Sequence, residues 1–188
     1  MNTITSIAKL ALETRSSRSL AVYLRHIEPI VAKAKGFLEN GEALTPIAFV
    51  GSFANNTVIP VMLDSSNDDT KDRSATMIAA AATQADADYV FTVIEAWALP
   101  KKYLNRVKEI YEKYGSLANF PHRLDVASFT LETRHGTWMA QCTILPKPPS
   151  KKRRTFMPPQ FVWGDAAQGR FANLLPNKGD RLDEGKLH

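Results

Sequence analysis

The sequence predicts an α/β domain of the α+β kind, a mixed and largely antiparallel sheet in the order α-α-β-β-α-β-α-β-β, with helices chiefly on one side and an extended C-terminal arm. Three observations carry this expectation. Leu20, Leu24, Ile27, Val31, Ala34 and Leu38 step by four, three, four, three and four, one apolar stripe of a helix. Short β-prone runs lie at 46–53, 57–63 and 89–99 and on either side of His135–Gly136. After residue 145, Pro146, Pro148, Pro149, Pro158 and Pro159 change the character of the chain. The divisions follow: a helical segment 1–16, a core domain 17–146 and a basic, proline-rich arm 147–188.

Ile4, Ile7, Ala8 and Ala11 recur at helical spacing and predict a first helix near 3–14, ended by the polar Ser16–Ser19 stretch. The Leu20–Leu38 stripe is the second helix. Pro29 lies off the stripe and is expected to bend or split it without removing its packing face, and Asn40–Gly41 stops it. Runs 46–53 and 57–63 then form a hairpin around Asn55–Asn56, residues that tolerate positive φ. Pro60 has no N–H for a ladder, so the second strand belongs at an edge.

An acidic loop, Asp64 to Asp72, feeds an Ala-rich helix near 71–86. Its carboxylates fail the EF-hand template and read more simply as caps on the positive end of that helix. Tyr89–Leu99 is nearly continuous in β-prone residues, the pattern of a central strand covered on both faces, with scope for a parallel neighbour. A helix over 101–114 would bury Leu104, Val107, Tyr111 and Tyr114 and stop at Gly115. For the last hairpin, a turn at His135–Gly136 pairs Arg134 with Thr137 and sets Leu131 against Ala140, Phe129 against Cys142 and Ala127 against Ile144. Apolar then meets apolar on one face. In the arm, Asp165 and Gln168 form a capping-box pattern for a short helix to Leu174.

Charge is distributed unevenly. Residues 147–188 carry nine Lys and Arg against four Asp and Glu, an excess equal to the whole chain's +5, so the preceding 146 residues are neutral. The single Cys142 excludes a disulfide framework and a cysteine-rich zinc module, and fits a reducing, cytoplasmic compartment. No apolar stretch is long enough to span a bilayer.

The arm is the first candidate site. Lys151, Lys152, Arg153 and Arg154 offer four cations, for which counterion release gives a salt slope of about −3.6 on duplex DNA. Phe161, Trp163 and Phe171, with Arg170 between the last two, add short-range anchors that a purely electrostatic tail would not need. The expected partner is a protein, another subunit or nucleic acid, and deletion of 147–188 is expected to leave the body folded. Pro146–Lys151 also matches a proline-groove ligand pattern, and Lys151–Arg154 a nuclear-import pattern, both common by chance.

The second candidate is Glu95, a carboxylate at the end of an apolar strand and on one face with Phe91, Val93 and Trp97. With Asp64 and Glu132 it suggests a small metal-dependent hydrolase or nuclease, provided the three converge. The simpler expectation is structural, an ion pair with Arg25 or Arg123 or simple exposure at the sheet end. His26, His122, His135 and His188 show no metal-ligand spacing, and no nucleophile elbow, phosphate loop or dinucleotide fingerprint is present. No cofactor or metal is therefore expected. The sequence points to a non-enzymatic binding module of a prokaryotic or phage type, with the carboxylate enzyme as the alternative.

Overall fold

A computed structural model describes residues 3–64, 66–150, 152–164 and 174–175 of the chain, with side chains from Leu20 onward. Its first element is one continuous helix, α1 (Thr3–Glu39), where two were expected. Ser16–Ser19 contains neither Gly nor Pro, and serine costs a helix only about 0.5 kcal/mol relative to alanine. That is too little to stop a helix already propagating. Pro29 lies within α1 on its exposed side, and the helix is not split there. The stripe faces inward: Ile27, Ala34 and Leu38 are buried, and Leu20, Leu24 and Val31 pack against the same cluster.

The sheet begins with the hairpin β1 (Ile47–Ser52) and β2 (Thr57–Met62), where Asn56 takes a φ of 47°. Helix α2 (Asp68–Gln84) leads to β3 (Tyr89–Ala98), and β4 (Leu124–Thr133) and β5 (Gly136–Thr143) follow. Two short pieces, β6 (Leu145–Pro146) and β7 (Arg154–Thr155), form a separate ribbon. A last strand, β8 (Val162–Gly164), completes a six-stranded sheet in the order β2-β1-β3-β4-β5-β8. Strand β2 is an edge, which its Pro60 requires.

Every pairing in this sheet is antiparallel, and the parallel neighbour expected for β3 is absent. The reason is topological. Strands β2 and β3 run the same way, but α2 carries the chain past β1, so β1 lies between them. The helices also occupy both faces rather than chiefly one. Helix α1 covers the face bearing Tyr89, Phe91, Val93, Phe129, Leu131 and Trp138, whereas α2 covers Ala48, Val50, Val61 and Val90 on the other. A strand covered twice needs apolar residues at both parities, which is why β3 reads as a continuous run.

Three local expectations are corrected. The β4–β5 turn is Arg134–His135, pairing Thr133 with Gly136, Leu131 with Trp138, Phe129 with Ala140 and Ala127 with Cys142. The expected register was two residues away. A two-residue slip keeps every side chain on its face, so alternation alone cannot detect it. Gly136 is needed beside the turn rather than in it: at φ 132° a Cβ there would lie 2.1 Å from the Trp163 indole. Between β3 and β4, residues Lys101–Arg106 form a 3-10 segment ahead of α3 (Val107–Tyr114). The tighter turn changes which side chains face inward. Ile110 is buried and Tyr114 half-buried, while Leu104, Val107 and Tyr111 are exposed. The acidic residues Asp68 and Asp69 occupy the first turn of α2, but the cap itself is Asn67, in a reciprocal capping box with Thr70.

The arm is not an irregular extension over its described part. Pro146 lacks a donor, yet the ribbon continues past it through the Lys147 amide to the Arg153 carbonyl at 2.8 Å. Phe156 is 1% exposed and lies in the α1-face core with its ring 5.5 Å from Phe129. Phe161 packs on Phe91, and Trp163 meets Trp138 edge-to-face across the β5–β8 pairing. The helix expected over 165–174 falls largely outside the described residues.

Candidate functional site

Two glutamates position the basic ribbon. Glu39, at the end of α1, receives the Lys147 ammonium at 2.6 Å and the Thr155 hydroxyl at 2.8 Å. Those two donors hold its carboxyl below the ordinary glutamate range. Glu95, on the α1 face of β3, accepts the Arg154 guanidinium through both oxygens and the Leu44 amide at 3.3 Å. Arg154 also reaches the Glu42 carbonyl. The oddity of an acid in an apolar strand thus has a structural answer, and the partner is Arg154 rather than Arg25 or Arg123.

Lys147 and Arg154 are consumed in this way, which leaves Lys152 and Arg153 at the turn of the ribbon. Both are exposed, and among the described residues neither forms an ion pair. Their amides both donate to the Ser150 hydroxyl, at 3.2 and 3.3 Å, which fixes the turn locally. Lys152 also packs over Gly41 beyond the end of α1, where a Cβ would lie 3.4 Å from its own. Two cations are therefore held outward on a braced ribbon. Lys151, Arg170 and Phe171 lie outside the described residues.

The three carboxylates of the hydrolase alternative are not brought together. Register puts Glu95 on the α1 face and Glu132, opposite Val90, on the α2 face. Glu132 is buried and accepts the Leu174 and Leu175 amides at 3.0 and 2.8 Å. Asp64 follows the edge strand β2, where its Oδ1 accepts the Ser66 amide at 2.9 Å. The Ser66 side chain and amide hold its carboxyl below the ordinary range. Among the described residues, no three His, Cys, Asp or Glu side chains group to hold a metal. Cys142 is buried, and burial pushes its thiol up.

Glu132 instead clasps the chain's C-terminal segment, whose Leu174 enters the α2-side core. Hydrogen bonds to a charged acceptor contribute about 1.5–3 kcal/mol each. Glu132→Ala is therefore expected to cost several kcal/mol of local stability and to abolish slow hydrogen exchange at the Leu174 and Leu175 amides. Unchanged protection of those amides would refute the clasp.

Sequence reasoning missed two aromatic groups. Tyr23, His26, Phe53 and Tyr89 cluster at one end of the sheet, with Tyr89 lying over Gly51, and burial pushes both tyrosine hydroxyls up. Trp97, on the same face of β3 as Glu95, is 50% exposed with the Arg123 guanidinium 5.3 Å from its ring centroid. The placement of Trp97 after Glu95 on one strand face was the available signal; its exposure was not. No helix among the described residues is long and apolar enough to cross a membrane. No protein-family model, curated protein or solved structure matches the chain.

Proposed function

We propose that the chain is a non-enzymatic binding module whose basic arm presents Lys152 and Arg153 to an acidic surface of a protein, a second subunit or a nucleic acid. The observation that carries this reading is the division among the arm's cations. Lys147 and Arg154 anchor the ribbon on Glu39 and Glu95, and Lys152 and Arg153 remain outward. Cations on a braced scaffold lose less conformational freedom on binding than cations on a free tail, and they steer an acidic partner from a distance. Phe156 and Phe161 serve the arm's own attachment, and the turn of the ribbon presents its cations outward. No observation favours the carboxylate reading, since Glu95, Asp64 and Glu132 each have separate partners.

The test is the double charge reversal Lys152→Glu/Arg153→Glu. Both side chains are exposed, so the thermal midpoint is expected to stay near that of the parent chain. Elution from immobilised heparin is expected at clearly lower salt, and on duplex DNA the loss of two contacts would flatten the salt slope by about 1.8. Elution at the parent salt concentration would sink the reading.

A further inference from the structure

We infer that the acidic partner is a single-stranded nucleic acid, with a base stacked on Trp97; the inference rests on the ribbon reading above. Strand β1 stops opposite Val93, so residues 94–98 of β3 have β4 on one side and no β1 partner on the other. Trp97 lies on that overhang, two residues and about 7 Å beyond Glu95 on the same face. The Arg154 guanidinium on Glu95 ties the ribbon that carries Lys152 and Arg153 to the same strand face as the indole. Arg123 lies over the Trp97 ring, and the exposed Lys101 and Lys102 follow directly after Pro100.

Glu95 is neutralised by Arg154, Asp125 stands across from Trp97 at 3.9 Å from Arg123, and Glu42 is exposed with its carbonyl turned to Arg154. The result is a half-exposed indole with Arg123 over its ring, Lys101 and Lys102 following shortly after it in the chain, and the Arg154-anchored ribbon tied to the same strand face. An exposed aromatic ring with a cation on it and further cations on the adjoining segments suits a chain that alternates flat bases with phosphates, and base stacking on such a ring is tolerant of sequence. Duplex bases are already stacked on each other and offer no free face, so the strand must be single. An acidic peptide would satisfy the cations but bring no obligatory stacking partner to the indole.

The experiment is a titration with oligothymidylate, read by tryptophan fluorescence. Trp138 is buried and Trp163 packs on it, which leaves Trp97 the most exposed of the three indoles. Quenching is expected in the parent chain, with a salt slope near −2 for three phosphate contacts to a single strand. Trp97→Ala is expected to weaken binding about 5- to 150-fold, the usual loss of one stacked base. Trp97→Phe should recover part of it, and the thermal midpoint of each variant serves as the folding control. Parent-like oligothymidylate binding by Trp97→Ala overturns the stacking proposal, as does polyglutamate binding as tight as that of oligothymidylate, which would point to an acidic protein. If Lys152→Glu/Arg153→Glu keeps parent affinity for heparin, the ribbon reading itself falls. Loss of heparin affinity in that variant, with oligothymidylate affinity retained in Trp97→Ala, removes the nucleic-acid inference alone.

Discussion

A chain ended after Pro146 is expected to show no cooperative thermal transition, because the arm supplies part of the core. Phe156 is fully enclosed against Phe129 on the α1 face, and Phe161 packs on Phe91 beside it. Truncation also removes β8 from its pairing with β5 and leaves the half-buried Glu95 without Arg154. Phe156→Ala alone is expected to cost about 3–5 kcal/mol, the usual loss for a buried phenylalanine. A domain of this kind has about 5–15 kcal/mol of stability in total, so losing the whole arm exceeds what the body can absorb. Urea denaturation of Phe156→Ala measures the single step, and a calorimetric scan of the truncated chain measures the whole. A truncated chain that melts at the parent midpoint would overturn this account. Loss of the transition would reverse the expectation that the arm can be deleted from an intact body.

Gly51→Ala is the second substitution with a large expected effect. Gly51 pairs with Tyr89, and the phenol ring lies across it, so an added Cβ would meet Tyr89 Cζ at 2.1 Å. The ring cannot swing aside, because Tyr89 is 1% exposed and enclosed by Tyr23, His26 and Phe53. Overpacking of this kind costs about 1–3 kcal/mol, and a rigid buried ring places Gly51→Ala at the upper end of that range. The signature is coupling: in the background Tyr89→Leu, which removes the overlying ring, the cost of Gly51→Ala should largely disappear. Equal costs in the two backgrounds would show that the ring is not the obstacle. Gly136 is the instructive contrast, since the Trp163 indole above it is partly exposed and free to move outward.

Much of the fold was legible because the relevant physics is local. The Leu20–Leu38 stripe reports one helix face, the missing N–H of Pro60 demands an edge, and alternation in β4 and β5 separates core from solvent. The missed features turn on distances along the chain that periodicity does not encode. A two-residue register slip is silent, and a 3-10 segment ahead of α3 leaves Leu104, Val107 and Tyr111 outside. The candidate site was legible in part: Glu95 stood out as an acid in an apolar strand, and the basic run stood out by charge. That the two belong to each other, 59 residues apart, was not.

The sequence by itself determined the main helices and strands of the body, the inward face of α1 and the concentration of positive charge in the last 42 residues. Each of these depends on side chains a few positions apart, whose geometry the backbone dihedrals set directly. Only the tertiary structure decided that α1 and α2 take opposite faces, that the arm closes back as β8, and that Lys147 and Arg154 become anchors while Lys152 and Arg153 stay outward. Those outcomes depend on which distant groups meet once the chain has closed its loops. An arginine has the same charge in the sequence whether its partner is Glu95 or an acid on another molecule.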